Sequence, residues 1–173
     1  MNLPGWTRSP TRRYVAAMRK IMLLFPVLAS LAGIAPAAAQ APEDEVLAVV
    51  HRLFDGMRQA DTTVMRSTLH ADVRLVTTGE RDGEPVAQVV AVERWLDAVA
   101  GSTERLDETL HDPEVRIDGN LATVWTFYTL HVGDRFSHCG VDAFQLVRGS
   151  DGWKIIQVAD TRRPEGCERE GGG

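Results

Sequence analysis

Asp142 and His138 are the two side chains of this sequence best suited to moving protons. They stand four residues apart in a segment that alternates as a strand, which puts both on one face, roughly 13 Å apart. That separation is beyond a hydrogen bond unless the strand bulges, and Gly140 between them marks a place where it could. A carboxylate on an apolar face is usually either paired or functional, because a buried unpaired charge is costly. Asp142 therefore reads as a general base or ligand handle, or else as a carboxylate satisfied by backbone or by Trp125. His138 reads as its catalytic companion, or as a structural histidine at the sheet rim. The five histidines show no HxH or HExxH spacing, so no metal is expected. The absence of a nucleophile elbow, a phosphate loop and a dinucleotide fingerprint gives no reason to expect a cofactor.

Two cysteines are present, Cys139 and Cys167. In an oxidising compartment an even count favours a disulfide. It would close a loop of about 27 residues, worth roughly 3 kcal/mol in the chain-entropy model, and pin the C-terminal tail to the sheet. A reactive thiol would need an activating neighbour. His138 is adjacent, but along a strand it points to the opposite face.

The elements that must position these residues follow from periodicity. Val46, Leu47, Val49, Val50, Leu53, Phe54 and Met57 recur with the spacing of an amphipathic helix. Asp61 is placed to cap a short second helix through Leu69. A strand over Val73–Thr77 and a short one around Pro85–Val89 flank a polar turn at residues 79–83. Val92–Ala100 reads as a third helix, with Trp95, Leu96 and Val99 on one side and Gly101 as its stop. Four strands follow: Glu108–Ile117, irregular at Asp112-Pro113, then Leu121–Val132, Arg135–Arg148 and Trp153–Arg162, joined by Gly-containing turns. Helices followed by a long antiparallel meander read as α+β. Such strands are long enough to curl into a cone-shaped antiparallel sheet, capped by the N-terminal helices.

Turn lengths set the expected register. A two-residue turn at Gly133-Asp134 sets Trp125 opposite Asp142 and Thr129 opposite His138. The turn at Ser150-Asp151 sets Asp142 opposite Ala159 and Phe144 opposite Gln157. The cone face then carries Trp125, Phe127, Thr129, His138, Asp142, Phe144 and Gln157, and a one-residue slip would exchange the two faces. Aromatic walls with few polar handles suit a small apolar or aromatic ligand. The expected ligand-binding residues are Trp125, Phe127, Thr129, Phe144 and Gln157, with Phe54 and Trp95 from the helices. Asp160 and Arg162 are expected on the outer face, as an ion pair or dimer contact.

Residues 1–39 read as a secretory signal, with Met18 as an alternative start. Arg19 and Lys20 precede an apolar run over Ile21–Ile34, and Ala37 and Ala39 precede a cut before Gln40. The domain is expected over 40–167, with a flexible tail over 168–173. It is expected in the periplasm or outside the cell, free of the membrane once the signal is cleaved. All 24 acidic residues lie after Gln40, against 14 of the 19 Lys and Arg, which leaves a net charge of −10. Nothing resembles the basic stripe that nucleic acid requires.

Four stretches resemble the nuclear transport factor 2-like superfamily, in particular its SnoaL-like and putative lumazine-binding groups. They are Ala122-Thr123-Val124-Trp125, the run His138 to Leu146, Gly152-Trp153-Lys154-Ile155-Ile156, and Ala159 to Arg163. The first helix followed by Leu69-His70-Ala71-Asp72-Val73 is similar to the family's opening. The resemblance spans about residues 44–163. It implies a cone-shaped α+β domain, often a homodimer through the outer sheet face. Its members include isomerases, cyclases, dehydratases and binding proteins. The expected function is binding of a small molecule in an apolar cone. The alternatives are an enzyme with Asp142 as general base and an interaction module acting through the outer face.

Overall fold

The computed structural model describes residues 41–167. The expected signal segment and the tail over 168–173 lie outside the described residues. Helix α1 spans Pro42–Arg58. Pro at its start has no N–H to leave unsatisfied, and Glu43, Asp44 and Glu45 in the first turn complement the helix dipole. Its stripe of Val46, Val50, Leu53, Phe54 and Met57 is buried. Helix α2, Thr62–Thr68, is capped by Asp61, whose carboxylate accepts from the N–H groups of Thr63 and Val64, both at 3.0 Å. Helix α3, Val92–Ala100, buries Leu96 and Val99.

Six strands form one curved, unclosed sheet: β1 Leu69–Arg81, β2 Glu84–Val90, β3 Leu106–Asp118, β4 Leu121–Val132, β5 Arg135–Gly149 and β6 Gly152–Thr161. Their order is β2-β1-β6-β5-β4-β3. The meander from β3 to β6 is antiparallel, as its turns require. The expectation of a wholly antiparallel sheet is corrected at one seam, where β1 lies parallel to β6. The hairpin β1–β2 adds to the edge left open by the last strand, and strand alternation carries no information about which edge a distant strand will meet. β1 also begins at Leu69, well before the expected Val73, so α2 ends at Thr68.

Two one-residue bulges overturn the expected register. The turn at Gly133-Asp134 pairs Val132 with Arg135 and His131 with Phe136, but the next pair is Leu130 with His138. Ser137 is the extra residue. Thr126, not Trp125, therefore lies opposite Asp142, and Trp125 lies opposite Ala143. A second bulge at Ile156 sets Asp142 opposite Asp160 and Phe144 opposite Val158. Each bulge exchanges the faces of the partner strand beyond it. The concave face thus carries Val124, Thr126 and Tyr128 from β4, each 1% exposed, while Trp125 is 57% exposed. The core between α1, α3 and this face holds Val46, Val50, Leu53, Leu96, Val124, Phe144, Leu146 and Ile155.

The disulfide Cys139–Cys167 is formed. Backbone hydrogen bonds between Cys139 and Arg163 (2.9 and 3.0 Å) continue the β5–β6 pairing into the segment that the disulfide ties down.

Candidate functional site

A cavity of about 90 Å³ lies between the helices and the concave face of the sheet. Leu53, Phe54 and Met57 of α1 and Trp95 of α3 close one side. Leu75 of β1, Phe144 of β5 and Val158 of β6 form the sheet wall. Phe54 meets Phe144 edge to face at 6.0 Å. Into this apolar lining project Glu108, Asp142, Asp160 and Arg162. A second chamber of about 150 Å³ shares Met57, Trp95, Glu108, Asp160 and Arg162 with the first. Tyr128, Leu130 and His138 lie on its far side.

Glu108 and Asp142 are joined by a side-chain hydrogen bond, so the pair shares a proton. Asp142 is 3% exposed, and burial pushes its carboxyl up to about 7, with the negative charge of Asp160 adding to the rise. Burial and the neighbouring Asp142 carry Glu108 well above the usual carboxylate range. One oxygen of Asp142, Oδ2, is buried without a hydrogen-bond partner. Asp160 is satisfied differently, since Arg162 Nε donates to its Oδ2 at 2.6 Å. In the second chamber Tyr128 donates to the carbonyl of Thr161 at 2.9 Å, and its ring meets His138 edge to face at 5.8 Å. Burial, helped by the charge of Arg162, lowers the His138 imidazole below its ordinary value. His138 Nδ1 lies 3.0 Å from Ser137 Oγ.

Of the residues singled out from sequence, Phe54, Trp95, Asp142 and Phe144 line the first chamber and His138 the second. Asp142 and His138 do not meet, and the carboxyl partner of Asp142 is Glu108. Trp125, Phe127, Thr129 and Gln157 are corrected to the outer face, because the bulges at Ser137 and Ile156 invert the strands that carry them. There Phe127 lies under the guanidinium of Arg163 at 5.7 Å, and Thr129 Oγ1 is 3.0 Å from His111 Nε2. Asp160 and Arg162, expected outside, line the cavity instead. Sequence reasoning missed Glu108 and Tyr128. Glu108 had a signal, since it alternates in phase with Leu106 and Leu110 and so belongs to the face that those leucines bury. Among the described residues, no three His, Cys, Asp or Glu side chains converge as metal ligands.

Comparison with known proteins agrees with this architecture. No curated protein matches the chain. Among solved structures, an NTF2-like protein from Cytophaga hutchinsonii is 16% identical with a TM-score of 0.59, covering 72% of this chain and 100% of that one. An NTF2-like protein with a cystatin-like fold from Novosphingobium aromaticivorans is 12% identical with a TM-score of 0.56, covering 69% and 80%. A putative dehydratase from the NTF2-like family of Streptomyces avermitilis is 18% identical with a TM-score of 0.55, covering 69% and 94%. At these identities the likeness establishes the fold. Residues 41–159 match the family model described as putative lumazine-binding, which is more than half of the chain. The chain belongs to the putative lumazine-binding family, on the nuclear transport factor 2-like (NTF2-like) fold.

Proposed function

We propose that this domain binds a small molecule in the cleft beneath α1 and α3, with the Glu108–Asp142 pair as its polar anchor. The observation that carries this reading is Asp142 itself. It is a nearly fully buried carboxyl with one unpartnered oxygen, set in a cavity whose other walls are mainly apolar. Leaving such a group unsatisfied costs free energy that a ligand donor would return. The family description, which names lumazine binding, supports a small-molecule ligand. The test is thermal unfolding against a library of small apolar and heteroaromatic compounds. A compound that raises the melting temperature, and does so less in Trp95→Ala, supports the reading. If no compound shifts the melt, the reading fails.

A second reading is an enzyme of the isomerase, cyclase or dehydratase type that uses Asp142 as general base. Its support is that the carboxyl, pushed up to about 7, sits where a base is most effective at neutral pH. Asp142→Asn would then abolish turnover without unfolding the chain, and retained turnover would remove Asp142 from the chemistry. A third reading assigns the outer face to a partner, with a second copy of the chain as the first candidate. Leu121, Trp125 and Phe136 are 50%, 57% and 43% exposed there. Sedimentation of the chain beside Trp125→Ser tests it. An unchanged monomer in both would end it.

We also infer that the domain works outside the cytoplasm, because a disulfide holding the C-terminal segment persists where glutathione does not reduce it. Among the described residues, no helix is long and apolar enough to cross a membrane.

A further inference from the structure

We propose that the ligand is a cationic amine, an ammonium group on a compact apolar body, held by Glu108 and Asp142. The proposal rests on the small-molecule reading above and adds the chemical class.

Charge is the first argument. Three carboxyls, Glu108, Asp142 and Asp160, line the first chamber against one cation, Arg162. That cation is committed to Asp160 at 2.6 Å. The remaining pair, two carboxyls sharing one proton, carries one negative charge in an apolar wall. An anionic ligand would add like charge to this pair, which a low-dielectric site penalises heavily. A cation would compensate it.

Hydrogen-bond capacity is the second argument. Asp142 Oδ2 is buried without a partner. An ionised carboxylate only accepts, whereas an ammonium offers three donors and no acceptor. Phe54, Trp95 and Phe144 line the same chamber, and aromatic rings attract cations. A volume of about 90 Å³ limits the apolar body to about one ring or a short chain.

The proton balance follows. The ammonium arrives with its own charge and pairs with the singly protonated, monoanionic pair. Below about pH 7, where Asp142 is protonated as well, binding releases that second proton to solvent, and no bond to carbon changes. Binding therefore tightens as pH rises through neutrality. The titratable and charged groups that face the pair are Tyr128 on β4, His138 on β5, Asp160 on β6 and Arg162 beyond it. Helices α1 and α3 and strand β1 present only Leu53, Phe54, Met57, Trp95, Ala98, Val99, Leu75, Val76 and Thr77 to the two chambers. Burial moves Tyr128 further from ionisation and shifts His138 towards its neutral form.

The experiment is calorimetric titration of the full chain with butylamine, benzylamine and phenethylamine, each beside its alcohol and its carboxylate analogue, at pH 6, 7 and 8. The expected result is at least one amine binding about tenfold or more tightly than its alcohol, with weakening of up to about tenfold per pH unit below 7. Buffers of different ionisation heat should register the released proton. Asp142→Asn, checked for folding by circular dichroism, should lose about tenfold in amine affinity and leave the alcohol unchanged. The pH profile of the unmodified chain needs no variant and decides the matter if the variant unfolds. An alcohol or a carboxylate that binds as well as its amine overturns the amine assignment and leaves the small-molecule reading standing. If no amine binds while neutral library compounds raise the melting temperature, the assignment fails alone. If nothing binds in either experiment, both readings fail.

Discussion

Replacing Asp142 by asparagine isolates what ionisation of a buried carboxyl does to stability. Burial raises Asp142 from 3.8 to about 7 in the folded chain. Its folded value lies above its unfolded value, so the stabilisation from the bound proton is complete below pH 4 and is lost as pH rises to about 7. At 1.36 kcal/mol per unit, the loss across that window is about 4 kcal/mol. The substituted amide cannot ionise, and its Oδ1 can accept from the protonated Glu108 carboxyl as Asp142 does. The variant therefore escapes this loss. Between pH 5 and pH 9 the stability of Asp142→Asn relative to the unmodified chain should rise by about 3 kcal/mol. Urea unfolding followed by tryptophan fluorescence at pH 5, 7 and 9 measures the difference directly. Glu108 remains in both proteins and displaces both curves in the same direction. A gap that stays flat with pH refutes the reasoning, because Asp142 would then ionise alike in the folded and unfolded chains. A gap that shrinks with pH would mean that Arg162 holds Asp142 ionised.

Other outcomes follow from packing. A Cβ on Gly140 would lie 1.8 Å from the carbonyl oxygen of Thr161 and 2.9 Å from the Tyr128 ring. Gly140→Ala should therefore destabilise by about 3 kcal/mol or more, read as a fall in the urea midpoint. Replacing both cysteines by alanine removes a cross-link between positions 28 residues apart. The expected loss is about 3 to 4 kcal/mol, and reductant should lower the stability of the unmodified chain but not of this variant. Trp95→Ala opens both chambers and should weaken any ligand-induced rise in melting temperature. Trp125→Ala, on the outer face, should leave that rise unchanged.

Much of the frame was legible in the sequence. The stripe from Val46 to Met57 is an apolar face of helical period, so α1 and its buried side followed from spacing alone. Glycines stand where the chain must take positive φ, and Gly119, Gly133 and Gly152 do so at the three hairpins of the meander (57°, 59° and 95°). The break at Asp112-Pro113 was likewise readable, and the β3–β4 register shifts there. Asp142 and Phe144 were found as inward residues, and so were Phe54 and Trp95 on the helices.

Tertiary structure decided the rest. Turn length sets register only next to the turn, and one extra residue at Ser137 or Ile156 inverts the strand beyond it. At Ile156 the doublet Ile155-Ile156 does shift the alternation, but around Ser137 no such apolar doublet marks the slip, so Trp125 looked inward until its neighbours were placed. The parallel seam between β1 and β6, and the docking of α1 and α3 over the concave face, depend on contacts between segments far apart in the chain. So does the proton-sharing pair, which joins β3 to β5. Asp142 could be recognised alone as a carboxylate on an apolar strand. Its raised affinity for a proton belongs to the folded state, because only folding removes it from water and brings the charge of Asp160 to it.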